Sequence, residues 1–249
     1  MLERSYELFK IFTGGFTHHG SDHDSIRVKC NKFFDRFLPS LSFSGSINDL
    51  FPAVQFLTLE SLDFLNVQSF VHKVENDFGC VDKSLFLHHG NIVWSGLQQK
   101  ETQLLYFYVY NTLLPSFSSK ISANSGKSSP FSGHQGQFLT GPTTTLKLSP
   151  DQVNSLRIPK VFIGQNLKEY QFLVYHAIQS TLCLLIPSEV DFTVDFFKRL
   201  DGHLGKLIIG WGVESTHVRS TRHQIHPASN PPGIESTQPF KSFEKVDFF

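Results

Sequence analysis

The chain has 249 residues, 40% of them hydrophobic and 14% aromatic, and its 22 basic side chains are balanced by 22 acidic ones. That length and composition suffice for a sizeable core in one or two domains, while a net charge of zero leaves no sequence-wide field to draw the chain to phosphate backbones or anionic lipid, so nucleic acid is excluded as an expected partner. The three cysteines, Cys30, Cys80 and Cys183, are far apart and form no CxxC, which makes them reduced buried thiols of a cytosolic protein and not a disulfide frame or a zinc site.

The first forty residues hold two aromatic-rich helical patterns. Leu2, Tyr6, Phe9 and Phe12 recur at three- and four-residue steps, as do Ile26, Cys30, Phe33, Phe34, Phe37 and Leu38 before Pro39 stops the run. A polar loop with Gly14, Gly15 and Gly20 separates them. After Pro52, Val54 to Leu59 predicts a strand. Ser61 is placed to cap a helix whose apolar stripe is Val67, Val71, Val74 and Phe78, with Gly79 to end it. Ser84 to His89 and Ile92 to Ser95 then flank Gly90-Asn91, a hairpin signal with a pair able to take positive φ. Ile92 and Trp94 fall on one face of that second strand.

Ser95-Gly96-Leu97-Gln98 has capping-box spacing and opens a helix through Leu97, Leu104, Leu105, Tyr108 and Val109, closed by Pro115. Residues 116–135 are rich in Ser and Gly and predict a flexible loop. Strands follow at Gln137 to Leu139, at Lys160 to Ile163, and across Tyr170 to Ile186, broken near Gln179-Ser180. Ser188-Glu189-Val190-Asp191 is spaced as a second capping box, opening a helix with Val190, Val194, Phe197 and Leu200 inward until Gly202. The predicted fold class is α+β: an antiparallel five-stranded sheet with packed helices, the element order of a longin or roadblock-like module. Beyond Trp211 the chain is rich in His, Ser and Pro and has no period, which predicts a disordered tail over 211–249. The longest apolar run, Leu182 to Ile186, is far short of the roughly 18 to 20 residues of a spanning helix, and Glu3 and Arg4 stand where a signal peptide would be turning apolar.

No cluster of reactive residues forms a complete constellation. Ser125-Gly126-Lys127-Ser128 ends like a phosphate-binding loop, but Ile121 stands where the first glycine is needed and neither flank is regular. His18, His19, Asp22, His23 and Asp24 include ligand types suited to zinc or nickel, yet a Gly-flanked loop supplies no scaffold to hold them. His217, His223 and His226 lie in the aperiodic tail. His88 and His89 bracket the hairpin turn as solvent-facing residues. Ser95 lacks the first glycine of a nucleophile elbow, and His72 and Glu75 are three apart without an HExxH, as a surface pair is. The sequence therefore predicts no catalytic, cofactor-binding or metal-binding residue, and an interaction module fits better than an enzyme.

Two signatures, NIVWSGL at Asn91 to Leu97 and QFLTGP at Gln137 to Pro142, together with PKVFIG at Pro159 to Gly164 and VDFFKRLD at Val194 to Asp201, resemble the Ccz family from about Ser5 to Leu207. Its members are subunits of the Mon-Ccz Rab guanine-nucleotide exchange factor, acting in fusion at the late endosome and vacuole. The family carries three longin modules in series. The resemblance makes Val54 to Leu207 look like the second, and the helices at Ser5 to Phe12 and Ile26 to Leu38 look like the closing helices of an incomplete first. It thus implies a helical remnant at 1–45, whose Tyr6, Phe9, Phe12, Phe33, Phe34 and Phe37 would have faced the absent first sheet, and a longin-like domain at 52–210.

The implied partners are a Mon subunit, as a heterodimer, and through the complex a late-endosomal Rab GTPase, with peripheral contact on the late-endosomal, prevacuolar or vacuolar membrane through partners. Exchange of this kind needs no organic cofactor, because a partner surface distorts the switch segments that hold Mg²⁺ and phosphate. In the family the first module forms the surface that opens the Rab site. The resemblance implies that this module's sheet is missing here, that no third module follows the second, and that the tail after Gly212 departs from the family, as in an alternative transcript, a frameshifted gene or a partial one. No exchange residue is therefore carried over, and the chain is expected to act as a scaffold. The alternatives are the middle longin module of a ciliary planar-polarity effector and, from another class, a nucleotide- or metal-binding enzyme.

Overall fold

The structure is a computed structural model that describes residues 2–16, 23–37, 56–117, 136–142, 145, 147–177 and 179–205. Two N-terminal helices, α1 (Leu2–Thr13) and α2 (His23–Phe37), precede α3 (Ser61–Asp77). Then come the hairpin β1 (Lys83–His88) and β2 (Asn91–Ser95), helix α4 (Gln99–Tyr108), β3 (Gln137–Thr140), the short α5 (Pro150–Asn154), β4 (Lys160–Ile163), β5 (Lys168–Ala177) and β6 (Ser180–Pro187). A last helix, α6, runs over 194–205. The named strands form one mixed-length sheet in the order β2-β1-β6-β5-β3, antiparallel at every pairing.

Six strands occupy five lanes. β4 pairs with Lys168 to Gln171 and β3 with Val174 to His176, so the two share one edge of β5 end to end. The strand expected over Val54 to Leu59 is reduced to a parallel bridge from Phe56 to Ile92, with the Leu57 N–H donating to the Ile92 carbonyl at 2.8 Å; residues 51–55 lie outside the described residues.

Both faces of the sheet are covered, which explains why Phe172 to Tyr175 of β5 and Leu182 to Ile186 of β6 are buried without interruption. Along β6, Leu182, Leu184 and Ile186 face one side and Cys183 and Leu185 the other. The first side packs on Val67, Phe70, Val71 and Val74 of α3, Val153 of α5 and Phe197, Leu200 and Leu204 of α6. The second packs on Leu104 and Leu105 of α4 and on Leu8 and Ile11 of α1. Phe9, on the same helix, meets Phe33 and Phe34 of α2 at 5.6 and 6.0 Å, so the aromatic faces of α1 and α2 pack on one another; the Phe37 side chain lies outside the described residues.

Several local expectations shift. In the hairpin, His89 and Gly90 take positive φ, 50° and 75°, and His88 pairs with Asn91. The tight turn thus sits one residue before the expected Gly90-Asn91, since two consecutive positive φ angles match the twist of the flanking strands. A Cβ on Gly90 would also stand 3.1 Å from the Tyr110 ring. The β1–β2 register slips between Phe86 and Leu87, leaving Val93 as a bulge. Ile92 and Trp94 therefore do not share a face: Ile92 joins the α4 side and Trp94 the α3 side.

Helix starts differ as well. The N-cap of α3 is Glu60, without a side-chain cap bond, and Ser61 is its first helical residue. The capping box of α4 is Gln98 with Glu101, one turn beyond the expected Ser95 with Gln98; Ser95 Oγ instead accepts from the Leu97 N–H at 3.2 Å and meets Thr102 Oγ1 at 2.7 Å. Pro115 does not close this helix. A π-helical turn, Val109–Leu113, widens it and leads into helical residues 114–117, a geometry that carries the chain past a ring that would collide with the carbonyl four residues back in an α-helix. Helix α6 is capped by Thr193, whose Oγ1 accepts from the Phe196 N–H at 3.1 Å, and not by Ser188, and it runs on through Gly202. The sequence pattern missed α5, a single turn opened by the Ser149–Gln152 box with Pro150 at its first position.

Candidate interaction surface

Among the described residues, the reactive side chains singled out in the sequence do not group into a site. Ser125 to Ser128, His18, His19, Asp22, His217, His223 and His226 lie outside the described residues. His23 and Asp24 stand exposed in the first turn of α2. Among the described residues no three His, Cys, Asp or Glu side chains are grouped to hold a metal ion. Glu75 Oε1 accepts from the Ser84 hydroxyl at 2.8 Å, whereas the His72 ring stands edge-on to Trp94 at 5.9 Å, so these two neighbours are engaged separately. His89 is exposed, but His88 is buried. Its Nδ1 is 2.8 Å from Ser180 Oγ, because the strand continues one residue further into the sheet than a turn assignment implies. Cys183 is fully buried, while Cys30 and Cys80 are half-buried, and all three are free thiols. Burial pushes the thiols of Cys183 and Cys80 up, which keeps them protonated and inert.

The polar groups inside the fold tie elements together. Asp201 of α6 accepts from the Tyr175 hydroxyl at 2.8 Å and from Thr145 Oγ1 at 2.5 Å, and Asp82 accepts from the Tyr170 hydroxyl at 2.5 Å. Burial, reinforced by these carboxylates, raises both phenols well above their ordinary range. His176 Nδ1 lies 2.9 Å from Thr181 Oγ1 and its ring meets that of Phe117 edge-on at 5.2 Å; desolvation lowers its pKa.

What the surface does offer is apolar. Phe56, Leu62, Phe64 and Leu65 are 53%, 71%, 42% and 55% exposed, and all belong to one corner of the fold: Phe56 crosses the outer edge of β2, and the others lie in the first turns of α3. Phe64 is 6.0 Å from Trp94 of β2, which fixes that corner to the sheet. Buried neighbours on α3 at Val67, Phe70 and Val71 show the helix is anchored through its other side. Single exposed apolar residues are ordinary, and several in one region of a fold are what contact surfaces are built from. Among the described residues no helix is long and apolar enough to cross a membrane.

This two-sided antiparallel sheet with packed helices agrees with the comparisons. The family described as Intu longin-like domain 2 matches residues 81–205, which span β1 to α6. The Vacuolar fusion protein CCZ1 homolog of Xenopus tropicalis is 32% identical over 217 residues, covering 82% of this chain and 45% of that protein. The chain belongs to the Ccz family. The homologue of Nematostella vectensis is likewise 32% identical, over 215 residues, and that of Dictyostelium discoideum 24% identical over 204 residues, 76% of this chain. This Ccz-family chain spans a little under half the length of the relatives it matches. Its longin-like domain contains all four quoted signatures, and the structure places NIVWS on the outer strand β2 and VDFFKRLD across the first turns of α6, so these segments build the domain and its edge.

Proposed function

We propose that the chain is a non-catalytic interaction subunit of a Mon-Ccz type Rab guanine-nucleotide exchange complex, acting in vesicle-mediated transport and fusion at the late endosome or vacuole. The observation that carries this reading is the likeness, over 82% of the chain, to proteins named Vacuolar fusion protein CCZ1 homolog. The exposed corner at α3 and β2 supports it, since a scaffold acts through surface and not through reacting groups. On this reading the chain binds a Mon-type subunit, reaches a late-endosomal Rab through the complex, and meets the membrane peripherally. It contributes structure to exchange while the distortion of the GTPase switch segments is performed by the assembled complex. The match to the Intu longin-like domain 2 family favours a second reading, the middle module of a ciliary planar-polarity effector, but that match covers residues 81–205 alone.

Release of a fluorescent guanine nucleotide from a late-endosomal Rab tests the first reading. The chain alone at micromolar concentration should leave the rate at that of buffer, and it should co-purify with a co-expressed Mon-type subunit. Acceleration by the isolated chain would overturn the scaffold assignment. Failure to form the heterodimer would overturn the complex.

A further inference from the structure

We draw no further inference here: the strongest candidate, the exposed apolar patch of Phe56, Leu62, Phe64 and Leu65 where the start of α3 meets β2, carries nothing because nothing in the structure shows what covers it.

Discussion

Replacing Leu8 by alanine probes whether the first helix is an integral part of the longin-like domain. Leu8 is 2% exposed and sits with Ile11 among Leu104, Val161, Ile163 and Phe172, although it lies some fifty residues before the first turn of α3. The variant removes buried methyl and methylene groups and leaves a cavity between α1 and the edge strand β4, a change that costs about 2 to 5 kcal/mol. For a folded unit of this size, each kcal/mol lowers the melting temperature by roughly 2 to 4 °C. A central cost near 3 kcal/mol therefore predicts a fall of about 6 to 12 °C. The Glu7–Lys100 pair at 2.9 Å, which also joins α1 to α4, is largely in solvent on the lysine side and adds at most a few tenths of a kcal/mol. Differential scanning calorimetry of Leu8→Ala beside the exposed control Leu62→Ala checks the value. A shift under about 2 °C, equal to that of the control, would refute the reasoning and show that α1 is separable, as a division near residue 45 implies.

Two further substitutions test local geometry. Gly90→Ala places a Cβ on a backbone with φ of 75° and should cost about 1 to 2 kcal/mol in urea denaturation; no change in the midpoint would mean the turn tolerates a side chain without strain. His176 is half-buried and desolvation lowers its pKa, so the unfolded chain takes up the proton first and stability rises with pH. The full contribution is present above about pH 6.5 and is lost as pH falls toward the lower folded pKa, with a slope of at most about 1.4 kcal/mol per unit. His176→Asn should flatten the stability profile just below about pH 6.5 relative to wild type, and an unaltered slope would remove His176 as its source.

The sequence by itself determined where elements lie. Lys160–Ile163, the β5–β6 break beside Gln179-Ser180, and the stripe of α3 were legible because apolar runs, turn residues and a 3.6-residue period are local properties of the chain. The family was legible for a similar reason: NIVWSGL and QFLTGP are short contiguous segments. Boundaries were less so, since Ser95 with Gln98 and Gln98 with Glu101 compete for the same helix start, and the side-chain bonds that choose between them depend on Thr102 engaging the Ser95 hydroxyl. The tertiary structure alone decided which way residues face. A sheet covered on both sides erases the alternation that assigns faces, and the bulge at Val93 sends Ile92 and Trp94 to opposite layers. Only the fold brings Leu8 against β4, buries His88 beside Ser180, and leaves Leu62 and Leu65 in solvent on the helix that buries Val67, Phe70 and Val71. Those outcomes are set by contacts between segments many residues apart, where the free energy of burial is shared among layers and not written in any one window of sequence.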